Sequence, residues 1–407
     1  MPKLSLRDLT VKGKKVLMRV DFNVPLDGKN HIADDTRIRA SLPSIRYILD
    51  HGGTLIIMSH LGRPKDKHVP EMSLEPCASH LSQLLGQTVA FARDCIGPEV
   101  EKQVNALKMG QVIVLENLRF HRGEEHPDED PDFVKQLAKL GDVYVNDAFG
   151  TAHRAHTSTE ALAHLFPGKA AAGFLLEQEI QFLGDALTNP KRPFVAVIGG
   201  SKISTKCGVI ESLMSKADAV LIGGGMAYTF FKAMGIAIGD SIHEDEFMDK
   251  ARALLLASEK GKGRIVLPKD IVVAKELKSG AEHRTIKIKE GIPEGFEGVD
   301  IGPETVIEFI HELKGASTIL WNGPLGVFEV PEFAKGTNAI AHALAQFDAT
   351  TIVGGGDSIA AVQAAGEADK VTHLSTGGGA SLEYIEFGTL PGIEALTDKI
   401  SKISGLC

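Results

Sequence analysis

The 407-residue chain has few cysteines and no long apolar run, and each shortage excludes a class of protein. Its cysteines show neither a C-x-x-C pair nor the spacing of a disulfide framework, which is typical of free thiols in a reducing compartment. No stretch approaches the roughly 20 apolar residues of a membrane span, and the N-terminus lacks the apolar segment of a secretory signal. We therefore expect a soluble, cytoplasmic protein with no membrane partner.

Excess positive charge and two common nucleotide motifs are also missing. The formal net charge is −9 at pH 7, which argues against general nucleic-acid binding and requires any anion site to be a local basic cluster. Neither G-x-x-x-x-G-K-[ST] nor G-x-G-x-x-G after a strand is present, so Walker-type and dinucleotide-binding functions lose their main support.

Short apolar runs, each followed by a helical pattern, recur along the chain. Continuous rather than alternating runs indicate parallel strands buried on both faces. The length favours two domains, and the pattern predicts an α/β fold with two doubly wound, mainly parallel, Rossmann-like sheets. The predicted strands are 16–20, 54–58, 112–115, 143–145, 194–198, 219–222, 265–267, 318–321 and 350–353, and helices are predicted at 74–85, 133–140, 247–257 and 337–346.

An amphipathic helix between the two halves marks the domain boundary. Leu176, Ile180, Leu183 and Leu187 recur at helical spacing after Gly173. We expect an N-terminal domain over 1–172, a C-terminal domain over 173–407, and a hinge helix at about 173–188. The tail from Leu390 closes the second domain or crosses back to the first, and the sequence leaves both options open.

Arginines follow the predicted strands of the first half. Arg63, Arg119 and Arg154 each lie a few residues past a strand end, and Arg37 is expected in a loop. Ligands of open α/β sheets bind beyond the carboxyl ends of the strands, so these arginines should converge on one cleft. Taken singly, each arginine is more readily explained as a member of a surface ion pair. Together they suit a phosphate or a carboxylate, because a guanidinium can bind two oxygens in a plane.

Glycines follow the strands of the second half. The run Gly354–Gly356 separates a strand from a helix, and Asp357 at the helix start either caps it or holds hydrated Mg²⁺ against a phosphate. Lys202 and Lys206 follow another Gly-rich strand end and are expected one turn apart on the same helix face. The second half is thus predicted to bind a nucleotide. A phosphoryl group passed between the halves would need them brought together across the hinge.

Several runs resemble phosphoglycerate kinases, in the expected order over nearly the whole chain. They are RVDFNVPL (19–26), SHLGRP (59–64), ENLRF (116–120), NDAFGTAHRAH (146–156), IGGSK (198–202), IGGGM (222–226), WNGPLGVFE (321–329), GGGDS (354–358) and STGGGASLE (375–383). The resemblance implies reversible transfer of the acyl phosphate of 1,3-bisphosphoglycerate to ADP, giving ATP and 3-phosphoglycerate. It further implies a Mg²⁺-dependent phosphotransferase with a carboxyl group as acceptor, and a hinge-bending glycolytic monomer.

The resemblance also assigns residues. Arg37, beside the substrate carboxyl group, and Lys202 would stabilise the phosphoryl group in transfer, with Gly356 and Gly379 completing the catalytic set. The remaining phosphoglycerate ligands would be Asp21, Asn23, His60, Arg63, Arg119 and Arg154. The nucleotide set would be Gly200, Lys202, Lys206, Gly223, Gly224, Asn322, Glu329 on the ribose, Gly354, Gly355, Gly356, Asp357 as the Mg²⁺ ligand, and Ser358.

Two positions depart from the commonest family pattern. Thr205 stands where Asp is frequent, and Ser358 stands where Thr is frequent but keeps the hydroxyl. Two alternatives remain open from the residues. One is a non-catalytic nucleotide sensor or scaffold on the same fold, which would not need both charged regions. The other is a phosphotransferase that acts on a different small acceptor.

Overall fold

The computed structural model describes residues 2–261 and 263–399, and these divide into two compact units. The first unit contains the described residues up to Ile180 and those from Thr389 onward, and the second is Gln181–Gly388. The division falls inside the helix Phe174–Thr188, and the sequence predicted a helix at about 173–188. Its first turns belong to the first unit because the Leu175 and Leu176 amides donate to Asp147, at 2.9 and 3.3 Å.

The first unit contains a parallel sheet with helices between its strands. The strands are β1 (Lys15–Arg19), β2 (Thr54–Met58), β3 (Val89–Phe91), β4 (Val112–Val114), β5 (Val143–Asn146) and β6 (Ala170–Ala172). The helices are α1 (Thr36–Asp50), α2 (Glu75–Leu85), α3 (Pro98–Ala106), α4 (Arg122–Glu125), α5 (Pro131–Ala138), α6 (Leu162–His164) and α7 (Phe174–Thr188). Among the described residues the strand order is β3-β4-β2-β1-β5-β6.

This order places β1 at the centre, with β2 on one side and β5 on the other. The chain therefore reverses its direction of winding between β1 and β5, and such a switch point is where doubly wound sheets bind ligands. β1 and β2 are buried almost throughout, which explains their continuous apolar sequences.

The second unit contains another parallel sheet and a smaller antiparallel one. Its strands are β7 (Phe194–Ile198), β8 (Ala219–Ile222), β9 (Ile265–Val266), β10 (Asp270–Ala274), β11 (His283–Lys287), β12 (Glu297–Ile301), β13 (Thr318–Asn322), β14 (Thr350–Gly354) and β15 (His373–Ser375). Its helices are α8 (Cys207–Met214), α9 (Met226–Ala233), α10 (Met248–Glu259), α11 (Pro303–Lys314), α12 (Lys335–Leu344), α13 (Gly356–Ala364) and α14 (Gly379–Phe387).

The parallel sheet of the second unit has the order β15-β14-β13-β7-β8-β9, in the part of the chain that is described. β7 is central and the winding reverses between β7 and β13, so this sheet has its own switch point. The antiparallel sheet β11-β10-β12 was not predicted. Its outer strand β11 is mostly exposed and carries polar side chains, so it lacks the apolar run that identified the other strands.

The C-terminal segment returns to the first unit. Helix α15 (Pro391–Glu394) lies beside the loop after β5, where the Gly392 amide donates to the Ala152 carbonyl at 2.8 Å. The backbone of Thr397 then pairs with two segments of the first unit. Its amide donates to the Ala170 carbonyl at 3.0 Å, and its carbonyl accepts from the Leu4 amide at 2.8 Å. Of the two options for the tail, the structure shows the return to the first unit up to Lys399. The remaining residues lie outside the described part of the chain.

The α/β prediction with two doubly wound, mainly parallel sheets is confirmed. Within residues 2–261 and 263–399, no helix has both the length and the apolar character needed to cross a bilayer.

Candidate functional site

The first unit presents a set of polar and basic residues at the carboxyl ends of its strands, which we call the basic site. Each of the strands β1, β2, β4 and β5 is followed by at least one member, and α1 contributes another. The members are Asp21, Asn23, Arg37, His60, Arg63, Arg119 and Arg154.

Arg37 forms an ion pair with Asp21, which lies in the loop after β1. Its Nη1 lies 2.9 Å from Asp21 Oδ2, and 41% of the Arg37 side chain is exposed against 12% for Asp21. The prediction that Arg37 lies in a loop is wrong, because it occupies the first turn of α1. The helix fixes its backbone while its guanidinium stays accessible to a ligand.

The Gly62 backbone connects two further members of the basic site. Its amide donates to Asn23 Oδ1 at 2.9 Å, and its carbonyl accepts from Arg119 Nη1 at 3.1 Å. The buried Arg119 Nε lies 3.4 Å from Glu125 Oε1, near enough for an ion pair, but it makes no hydrogen bond with the described residues. Burial lowers the pKa of Arg119. A bound anion would satisfy this guanidinium better than the protein alone.

Arg63 and Arg154 are the exposed members of the basic site. Neither side chain makes a hydrogen bond or an ion pair with the residues that the structure describes. Electrostatic interactions link Arg63 to Arg119, and Arg154 to His156. The structure therefore brings the four predicted arginines into one neighbourhood around His60 and His156, without neutralising all of them.

His60 is buried beneath these arginines. Arg19 Nη2 donates to His60 Nδ1 at 3.1 Å, so the neutral ring carries its proton on Nε2. Burial, followed by the charges of Arg19, Arg119 and Arg37, holds the pKa of His60 well below its usual range. His156 is affected in the same way, and its pKa falls to about 3. Both rings stay neutral and so add no further positive charge.

A buried polar network behind His60 was missed by the sequence analysis. Arg19 is fully buried, and its Nε donates to Ser158 Oγ at 2.8 Å. Ser158 donates in turn to the buried Glu124 through its amide, at 3.0 Å, and through its hydroxyl, at 2.6 Å. Burial raises the pKa of Glu124, although Arg19 opposes the change. The available signal was Arg19 itself, a charge inside the otherwise apolar predicted run 16–20.

The second unit has a cavity of about 400 Å³ at the switch point between β7 and β13. The loops after β7, β8 and β13 form its floor, and Asp357, in the first turn of α13, lies at its edge. We call this region, with the adjoining lysines, the glycine-rich site. Of the predicted nucleotide residues, those that line the cavity are Gly200, Gly224, Glu329 and Asp357.

Two glycines allow these loops to touch. A Cβ at Gly224, where φ is +70°, would lie 2.7 Å from the Gly200 carbonyl oxygen. A Cβ at Gly323, where φ is +96°, would overlap the Gly199 carbonyl oxygen. A larger residue at either position would separate the loops and open the cavity floor.

Lys206 and Asn322 form a buried pair beside the cavity. Lys206 Nζ donates to Asn322 Oδ1, while the buried Asn322 Nδ2 has no partner among the described residues. Burial lowers the pKa of Lys206 to about 8, and the Asp357 charge opposes the shift. A bound anion would stabilise the buried ammonium group and would accept a hydrogen bond from the unpaired amide donor.

Lys202 lies apart from Lys206, and the prediction that they share a helix face is wrong. A 3₁₀ turn, Ile203–Thr205, separates them, and α8 begins only after Lys206. The Ser204 amide and hydroxyl are held by Glu244, at 2.9 and 2.6 Å, and this tertiary contact favours the turn over a continuous helix. Lys202 is exposed and Lys206 is buried.

The other predicted glycines and Ser358 support the loops rather than line the cavity. Ser358 Oγ accepts from the Gly323 amide at 2.6 Å, so the hydroxyl has a structural partner. Gly354 ends β14, Gly356 begins α13, and Gly379 begins α14. Gly223 and Gly355 lie against the side chains of Leu325 and Asn322, respectively. The sequence analysis missed the apolar wall of the cavity, which includes Tyr228, Ile242 and Leu277.

Comparison with known proteins identifies the class to which this fold and these two sites belong. The family model described as phosphoglycerate kinase matches residues 6–387. The chain is 55% identical to the phosphoglycerate kinase of Moorella thermoacetica over 400 residues, covering 98% of this chain and all of that protein. It is also 55% identical to that of Chlorobium limicola over 401 residues, with the same coverage.

Solved structures agree with these matches. A structure of phosphoglycerate kinase from Coxiella burnetii aligns with a TM-score of 0.89 at 39% identity, covering 97% of this chain and 98% of that one. The structure from Pyrococcus horikoshii aligns with a TM-score of 0.80 at 35% identity, with the same coverage.

The chain belongs to the phosphoglycerate kinase family. It is therefore a kinase of glycolysis that transfers the acyl phosphate of 1,3-bisphosphoglycerate to ADP, giving ATP and 3-phosphoglycerate, as the sequence predicted. The alternative of a non-catalytic sensor receives no support.

Proposed function

We propose that the basic site holds the phosphoglycerate, that the glycine-rich site holds the nucleotide, and that transfer between them is direct and in line. The observation that carries this proposal is the pair of switch-point sites, one with four arginines around a neutral histidine and one with a glycine-lined cavity. We assign the N-terminal unit to phosphoglycerate and the C-terminal unit to ADP or ATP.

In the basic site, Arg63, Arg119 and Arg154 grip the phosphate that is not transferred. Arg63 and Arg154 are exposed, and Arg119 Nε has an ion pair with Glu125 but no hydrogen bond, so a phosphate gains charge-assisted hydrogen bonds without breaking many others. Asp21, Asn23 and His60 orient the glycerate. Arg37 lies beside the carboxyl group, where its pairing with Asp21 holds it ready in the absence of substrate.

In the glycine-rich site, the apolar wall of the cavity receives the base and Glu329 accepts hydrogen bonds from the ribose hydroxyls. Lys206 and the unpaired Asn322 amide bind phosphate oxygens. The backbone amides at the starts of α13 and α14 face the transferring group, because the first amides of a helix lack internal partners.

Asp357 is the residue that would hold Mg²⁺. It offers a carboxylate at the cavity edge that makes no hydrogen bond with the described residues, and one carboxylate together with phosphate oxygens and water suits this ion. Bound there, Mg²⁺ would neutralise charge on the nucleotide phosphates.

No general base is required, because a carboxylate nucleophile is already ionised. The work of the protein is to position the two substrates and to cancel charge on the equatorial phosphoryl oxygens. We assign that cancellation to Arg37 from the first unit and to Lys202 from the second. Since the substrates bind to different units, we propose that turnover includes hinge bending about α7, in a monomeric, cytoplasmic enzyme without nucleic-acid or membrane partners.

A coupled spectrophotometric assay of ATP-dependent 3-phosphoglycerate phosphorylation tests the proposal. We expect turnover with Mg²⁺ and its loss in EDTA, restored by added Mg²⁺. Calorimetry of ATP binding to the same preparation is the control. Tight nucleotide binding without turnover would favour the alternative of a non-catalytic nucleotide sensor. Turnover that EDTA does not affect would show that neither the metal nor Asp357 as its ligand takes part in the mechanism.

The pKa of Lys206 predicts a pH dependence of nucleotide affinity. A phosphate stabilises the charged amine, so affinity should be constant below the pKa of about 8 and fall above it, by up to about tenfold per pH unit. The ADP dissociation constant, measured by calorimetry from about pH 7 to about pH 9.5, should show this bend. Lys206→Arg stays charged over that range and should not. A bend that persists in Lys206→Arg would assign the titration to another group.

A further inference from the structure

A cluster of three metal-binding residue types lies outside both sites, at the edge of the first sheet. Asp94 and Cys95 follow β3, and His121 follows a 3₁₀ turn, Leu118–Phe120, that comes after β4. β3 and β4 are parallel neighbours, so both segments leave the same edge of the sheet. One ligand atom from each of the three residues, a carboxylate oxygen, a thiol sulfur and an imidazole nitrogen, lies within 4.8 Å of the other two.

We propose that Asp94, Cys95 and His121 form a binding site for a thiophilic divalent cation of the Zn²⁺ type. One sulfur, one nitrogen and one oxygen ligand match the preferences of Zn²⁺, which accepts thiolate, imidazole and carboxylate at about 2.0–2.3 Å. Three protein ligands leave the fourth tetrahedral position for water, and the partial exposure of Asp94 and His121 gives that position a path to solvent.

The ligand atoms are held for reasons that do not involve a metal. Asp94 Oδ1 accepts from the Cys95 amide at 2.6 Å and from His121 Nε2 at 2.6 Å. The His121 ring stacks on the buried Phe133, with ring centroids 5.3 Å apart. Only a small rearrangement would therefore place all three atoms around one ion.

The surroundings of the thiol favour a cation. Cys95 is fully buried. The charged groups that act on it are carboxylates, namely Asp94, Glu124 and Glu116. These carboxylates repel a thiolate at Cys95. A divalent cation bound to the thiolate would instead be attracted by them.

Binding releases the Cys95 thiol proton to solvent, and His121 binds through Nε2 in the tautomer that carries its proton on Nδ1. The hydrogen bond between His121 and Asp94 is exchanged for two bonds to the metal, and no redox step is involved.

Cobalt substitution provides a direct test, because Co²⁺ bound to a thiolate shows a near-ultraviolet charge-transfer absorption. The probe is Co²⁺ added to the nucleotide-free, EDTA-treated full chain, followed by competition with Zn²⁺. We expect the band to appear, to be abolished by Zn²⁺, and to be lost in Cys95→Ala. Cys77→Ala removes another fully buried thiol of the same unit and should keep it.

His121→Phe retains the ring stack on Phe133 and removes the nitrogen ligand. Its Zn²⁺ affinity should fall by at least roughly 10–100-fold, which is the typical cost of losing a residue that merely hydrogen-bonds to a metal ligand. The absence of a thiolate band in the unmodified chain, or a band that survives Cys95→Ala, would overturn the proposal. Because the probe is absorbance without nucleotide, these outcomes do not depend on catalysis.

Discussion

Replacing Lys202 with alanine is expected to lower kcat by about 10²–10³-fold, equivalent to about 3–4 kcal/mol, with a much smaller change in the KM for ATP. Lys202 is exposed and its side chain makes no hydrogen bond with the described residues, so the substitution should leave the fold intact. We assign its charge to the phosphoryl group in the transition state of transfer, so its loss should act on kcat rather than on ATP binding. Arg37→Ala should have the same signature, because we assign the matching charge in the basic site to Arg37.

Steady-state kinetics with both substrates varied would check this result. Lys202→Arg keeps the charge and should recover part of kcat. Arg63→Ala is the matched control, since we expect it to raise the KM for 3-phosphoglycerate more than it lowers kcat. If Lys202→Ala kept a near-normal kcat and changed only KM, Lys202 would be a ground-state ligand and the assignment would be wrong.

The fold was predicted correctly where a strand is buried on both faces, because such a strand is apolar along its whole length. Central strands such as β2 and β7 are buried at every residue, so their apolar runs are visible in the sequence. β3, β6 and β15 were missed because they are short and also lack a buried run of β-forming residues: β3 is only half-buried, β6 is three alanines, and β15 has polar residues at both ends. In those short strands the partner, rather than the local sequence, decides the structure.

The positions of candidate site residues could be predicted where the residues follow strand ends, and not where distant contacts decide; the roles of these residues stay predictions. The loops after strands carry the arginines and glycines because parallel strands end at one edge of the sheet. Lys202 and Lys206 were wrongly placed on one helix because Glu244 holds Ser204 between them. The Arg19–Ser158 contact joins residues 139 positions apart, which no local pattern reveals.

Arg19→Met is expected to destabilise the protein by about 3–5 kcal/mol, because it leaves the buried Glu124 without an opposing charge. The substitution also removes the hydrogen bonds that the Arg19 guanidinium donates to Ser158, His60 and the Val20 carbonyl. Urea unfolding followed by fluorescence and circular dichroism measures the change, with each unit's transition analysed separately. Arg122→Met is the matched control, since Arg122 is an exposed arginine paired with Glu129 and its replacement should leave stability close to that of the unmodified protein.

A double-mutant cycle separates the charge of Arg19 from its packing. If the uncompensated Glu124 carboxylate causes the loss, Arg19→Met/Glu124→Gln should be less destabilised than the sum of the two single variants. The pH dependence gives a second test. Without Arg19 the pKa of Glu124 rises further above its unfolded value, so the native state binds the extra proton more tightly. Stability is then lost as pH rises through that window, and Arg19→Met should be closer to wild type at about pH 5 than at about pH 7.5. Additive single effects and a pH-independent loss would show that Arg19 acts through its shape and hydrogen bonds alone.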